Sequence, residues 1–121
     1  MQRRAIEPMA GMAYAQAVEI TGAQRLLFIS GQVPEDATGA VPADYASQYR
    51  LAWANVEAKL AAAGMTFDNL VKVTIFLSDR RYIKESFRPQ ILGDRSPALT
   101  IIIAGIYDPA WLLEIEAIAA A

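Results

Sequence analysis

The chain has 121 residues, 55% of them hydrophobic and 20% charged, and a formal net charge of −2. That composition excludes a disordered or collagen-like polypeptide and suits one domain over residues 1–121 with a core of its own. There is no histidine and no cysteine, which removes disulfides, thiol nucleophiles, zinc–thiolate sites and a Ser-His-Asp triad.

A negative balance offers no clustered cationic surface for nucleic acid, and the pairs Arg3-Arg4 and Arg80-Arg81 fit solvated charge. The N-terminal MQRRAIEPMAGMAYAQ lacks the apolar centre of a signal peptide. No apolar run approaches the ~20 residues of a membrane span, so no membrane association and a cytoplasmic setting are expected.

In chain order, residues 14–20 and 25–33 alternate or run apolar as strands do, separated by a short turn carrying Gly22. The segment LLFIS is apolar on both faces, which predicts a central strand ended by Pro34. A helix is expected from about Pro42 to Ala63. Pro42 suits its first turn, Asp44 complements its dipole, and Gly64 suits the position just past its end. Tyr45, Tyr49, Ala52, Val56, Leu60 and Ala63 recur at spacings of three and four, forming one buried stripe. Thr66–Asn69 makes a turn into a strand in which Val71, Val73, Ile75 and Leu77 share a face. Asp79 can cap a second, shorter helix through Tyr82, Ile83 and Phe87, which Pro89 kinks or ends and Gly93 closes. Residues 99–106 and 111–119 complete the set as strands. The order ββαβαββ predicts an α+β fold, with two helices covering one face of a mixed sheet. The other face would then need a partner chain.

The last strand places Leu112, Glu114, Glu116 and Ile118 on one side, because strand side chains alternate. Two readings stand: a solvated strand face, or a carboxylate at the mouth of an apolar pocket where it can handle a proton. Ser30-Gly31 ends an apolar strand, and the glycine would let a ligand approach the backbone. A serine without histidine is a poor nucleophile and serves better as a hydrogen-bonding group. No phosphate-cradling glycine loop and no calcium-loop spacing occur, so neither cofactor nor metal is expected.

Several blocks together resemble one known family. They are MAGMAYAQAV at 9–18, FISGQVP at 28–34, GAVPAD at 39–44, Asn55-Val56, AAGM at 62–65, VKVTIFL at 71–77 and EIEAIA at 114–119. In this order they are similar to the Rid/YjgF reactive intermediate deaminases, from about residue 8 to the C-terminus. The resemblance implies a chorismate-mutase-like subunit, and a homotrimer whose sheets form a central barrel with ligand clefts between subunits. It also implies hydrolysis of imines and enamines to ketoacids and ammonia without a cofactor. On that pattern Tyr14, Ser30 and Glu114 would be catalytic, and Gly31, Phe87, Leu99, Thr100 and Arg88 would contact the substrate.

Two departures bear on the ligand. The arginine that binds the substrate carboxylate in family members falls at Leu99, within Ser96-Pro97-Ala98-Leu99-Thr100, and the expected asparagine falls at Phe87. Leucine cannot supply the planar two-pronged donor set that grips a carboxylate. The segment between Asp79 and Leu99 is also shorter than in the deaminases. The expectation is a less charged, more apolar ligand that touches Leu99 and Phe87, and slow turnover of 2-imino acids. Relocation of the arginine to Arg88 or Arg95 is the minority alternative. Three functions follow: a divergent hydrolase of C=N compounds, a non-catalytic trimer that binds a small metabolite, and, least supported without histidine or a basic groove, a ribonuclease.

Overall fold

The computed structural model describes residues 1–121. Strands β1 (Gln2–Met9), β2 (Tyr14–Thr21) and β3 (Leu26–Gln32) precede helix α1 (Tyr45–Ala62). Strand β4 (Leu70–Leu77) leads through a 3-10 turn at Arg80–Lys84 into α2 (Arg88–Leu92), followed by β5 (Ala98–Ile103) and β6 (Leu113–Ala120). All the strands join one mixed sheet in the order β1-β2-β5-β4-β6-β3. The β5 strand runs parallel to β2 and β4, and the remaining pairs are antiparallel. An α+β subunit with helices on one side of a mixed sheet is what the sequence predicts.

Helix α1 starts where expected. The Asp44 carboxylate accepts the Ser47 amide at 2.9 Å as an N-cap, and Gly64 takes a left-handed φ of 69° just past the C-terminus. Its inward stripe, Tyr49, Ala52, Val56 and Leu60, packs on Ile29 of β3, Val73 and Ile75 of β4, and Leu113, Ile115 and Ala117 of β6. Trp53 and Gln48 belong to the buried side as well. Gln48 donates to Pro42 O and Ala110 O and accepts the Leu112 amide at 2.9 Å. That satisfies a buried amide fully and clamps the chain entering β6 against the helix.

Four expectations need correcting. The N-terminal segment forms strand β1, paired from Gln2↔Thr21 to Met9↔Tyr14; its mixed polar sequence gives no alternation, and the hairpin partner decides it. Second, β3 lies at the sheet edge, not its centre. Its apolar residues split: Ile29 is buried toward α1, while Leu26 and Phe28 are 61% and 70% exposed on the opposite face. Third, the second helical region is a 3-10 turn, capped by Asp79 through the Arg81 amide, plus the single short helix α2. Pro89 stands in the first turn of α2, where its missing N–H costs nothing, so it opens that helix and does not end it. Fourth, β5 stops at Ile103, short of Ile106.

Candidate functional site

Strand register fixes which side chains share a face. Across β5, β4 and β6, one row on the helix-free face is Ile102, Phe76 and Glu114, and the next is Thr100, Thr74 and Glu116. The row Leu99, Val73 and Ala117 lies on the helix-covered face. Glu114 and Leu99, assigned to one site on resemblance, therefore point to opposite sides of the same sheet.

On the open face Glu114 is half-buried and Glu116 exposed. They line a shallow cavity with Gly31, Phe76, Ala104, Gly105 and Ile106. The register of β3 against β6 shifts between Ile29 and Gln32, a bulge that carries Ser30 and Gly31. The Asn55 amide of α1 donates to Val33 O at 2.9 Å and Glu35 O at 3.0 Å, fixing the chain just beyond the bulge. A Cβ built on Gly31 would stand 2.1 Å from Glu114 Oε1 and 2.6 Å from its Cδ. The absence of a side chain at 31 is what lets the carboxylate lie there. Gly31→Ala should therefore leave thermal stability nearly unchanged, because the long glutamate side chain can swing away. The same displacement should lower any Glu114-dependent rate roughly 100-fold, as small misplacements of a reacting group do; steady-state kinetics beside a thermal melt would check both. Thr100 lies on this open face, where its hydroxyl oxygen accepts the Lys72 ammonium at 2.6 Å, and it is not beside Leu99.

The helix-side wall is different. Met12, Tyr14, Ile83, Ser86, Arg88, Leu99 and Ile101 line a cavity of about 360 Å³. Arg88 opens α2 and is only 6% exposed. Its Nε and Nη2 donate to the Met12 carbonyl at 3.1 and 2.8 Å, and its Cζ stands 5.6 Å from the Tyr14 ring centroid. The Met12 carbonyl is presented by a tight β1–β2 turn in which Ala13 adopts a φ of 55°. Phe87 packs on Tyr45 and Tyr49, beneath the Arg50 guanidinium, and is not among the residues lining this cavity. Burial pushes the Tyr45 and Tyr49 hydroxyls well above the ordinary phenol range, so both remain neutral. Arg95 is spent elsewhere, with Nε on Asp68 Oδ1 at 2.6 Å. Periodicity and spacing could not have found the Met12 carbonyl or Ile83, because the contacts span the turn and α2. No cluster of acidic side chains in the fold could hold a metal ion.

A family profile described as Endoribonuclease L-PSP matches residues 4–121. The chain belongs to the Rid/YjgF family. A RutC family protein of Haemophilus influenzae is 36% identical over 93% of this chain and 89% of its own length. TdcF of Escherichia coli K12, whose name places it provisionally among reactive intermediate deaminases, is 39% identical over 54% of this chain and 50% of its own. Among solved structures, a Rid family protein of unknown function from Yersinia pestis, YyfB, superposes with a TM-score of 0.85 at 27% identity, covering 100% of both chains. Yeast Mmf1 superposes with a TM-score of 0.75 at 25% identity over 98% of each chain. The family thus includes proteins named for deaminase chemistry. No helix is long and apolar enough to cross a membrane.

Proposed function

We propose that this protein is a cytoplasmic, cofactor-independent hydrolase of small imines or enamines, working as a homotrimer with its sites between copies. The observation that carries the reading is the split of the candidate residues. The Gly31–Glu114 wall lies on the open sheet face and the Tyr14–Leu99–Arg88 wall on the covered one. A small molecule can touch both only where one copy's wall meets another's. The exposed apolar side chains Leu26, Phe28 and Ile102 supply a surface for that meeting.

The chemistry suits the side chains. Water adds to the C=N carbon while the Glu114 carboxylate takes its proton. The proton passes to the nitrogen to give a carbinolamine; the same carboxylate then carries the carbinolamine hydroxyl proton to the amine as the C–N bond breaks, and a carbonyl compound and ammonia leave. Ser30 and Tyr14 orient the substrate through their hydroxyls. Leu99 replaces a donor by an apolar wall continuous with Met12, Ile83 and Ile101, which favours a substrate with an apolar side chain over a small one.

Imines generated in place by an amino-acid oxidase test both points. The imine of leucine should disappear faster with the protein present, and roughly tenfold faster than 2-aminoacrylate at equal protein, the scale that a few buried methylenes provide. No acceleration of either would reduce the protein to a binder.

A further inference from the structure

We propose that the ligand of this site carries no carboxylate: it is an imine or enamine made by oxidising an apolar primary amine. This rests on the hydrolase reading and names its substrate class.

The charge left free on the two walls is negative. On the open-face wall, Glu114 and Glu116 line the cavity and neither has an ion-pair partner. The missing side chain at Gly31 gives the Glu114 carboxylate its place there. Lys72, on the same sheet face, donates to Thr100 Oγ1 at 2.6 Å and does not line that cavity.

Arg88 is the one cation lining the opposite wall, and its guanidinium is committed. Nε and Nη2 donate to the Met12 carbonyl, the Tyr49 hydroxyl accepts a further hydrogen bond, and the Tyr14 ring centroid lies 5.6 Å from Cζ. These partners belong to the β1–β2 turn, to α1 and to β2, so Arg88 ties three parts of the fold together. A ligand could recruit it only by breaking contacts that satisfy a buried guanidinium. Arg95 is held by Asp68 and by the Leu92 carbonyl. Met12, Ile83, Leu99 and Ile101 make the rest of this wall apolar.

A carboxylate between these walls would lose water, face two like charges and gain no free cationic donor. An imine without a carboxylate avoids all three costs. Its nitrogen, on taking up a proton, is attracted by the same two glutamates. Such a substrate arises by two-electron oxidation of R–CH2–NH2 to R–CH=NH, with dioxygen or a flavin accepting the electron pair. Hydrolysis adds one water and releases R–CHO and ammonia. The reaction class that supplies this site is therefore amine oxidation.

The test uses two pairs of compounds that share an isobutyl tail and differ by a carboxylate. One imine is made in place from 3-methylbutan-1-amine by a flavin amine oxidase, the other from leucine by an amino-acid oxidase, with catalase present. Semicarbazide traps what the protein leaves. Relative to its spontaneous hydrolysis, the amine-derived imine should be cleared roughly tenfold or more faster than the leucine imine, the scale of one uncompensated charge. By calorimetry, 3-methylbutanamide should bind the assembled protein roughly tenfold or more tighter than 3-methylbutanoate. Leu99→Arg should bring both ratios to one or below. Glu114→Gln, which should fold whether or not the arginine variant does, should narrow the binding ratio by removing one repelling charge. Equal or tighter binding of the acid, or saturable binding of neither compound at millimolar concentration, would overturn the proposal. Clearance of neither imine, with the amide still preferred, would refute the hydrolase reading alone. Clearance of the leucine imine as fast as the amine-derived one, in an active protein, would refute this proposal alone.

Discussion

Glu114→Gln should abolish most imine hydrolysis, by roughly 10²–10⁴-fold, the usual contribution of a positioned acid–base group. The substitution keeps the shape of the side chain and most of its hydrogen bonding, and removes only the ability to take a proton. Stability should hardly change: Glu114 forms no ion pair and is only partly buried. Glu116 is the internal control. It follows Glu114 on the same face but is exposed, and its register partner is Thr74 where that of Glu114 is Phe76. Glu116→Gln should therefore keep turnover within a few-fold of wild type. Steady-state rates on the leucine-derived imine, with light scattering to confirm equal assembly, would decide. Full activity in the Glu114→Gln protein would make the carboxylate structural.

What the sequence made legible followed from periodicity. Alternation alone placed Leu113, Ile115 and Ala117 inward and Glu114 outward, because a strand has only two faces. The inward stripe of α1 and its caps were equally readable, since they depend on contacts within four residues. Arg88 was not. Its partner, the Met12 carbonyl, is 76 positions away and belongs to a turn with an unusual backbone. The shortened region before Leu99 also hid a 3-10 turn and a one-turn helix behind what looked like a single capped helix. Strand β3 misled for a physical reason: an apolar residue on an open sheet face and one facing a helix look alike in sequence. Phe28 and Ile29 are apolar neighbours with opposite fates, 70% exposed and buried.

That contrast yields the second large effect. Phe28→Asp should prevent assembly while leaving the subunit folded. Phe28 opposes Ile118 across β3 and β6 on the helix-free face, with Leu26 two residues before it on the same side. Its side chain takes no part in the core under α1, which is built from Ile29, Val73, Ile75 and Ile115. Losing it should cost the isolated subunit little, and circular dichroism should be unchanged. In the trimer the same position would be covered by another copy. Truncating a buried aromatic anchor there costs about 2 kcal/mol or more, and a carboxylate without a partner adds a desolvation penalty. The penalty recurs at every interface of a ring, so light scattering at micromolar concentration should show a monomer. Hydrolysis should vanish with assembly, because each copy would retain both walls yet never oppose them. A Phe28→Asp protein that stays trimeric would remove this face from the interface. A monomer with full activity would show that one chain builds the whole site.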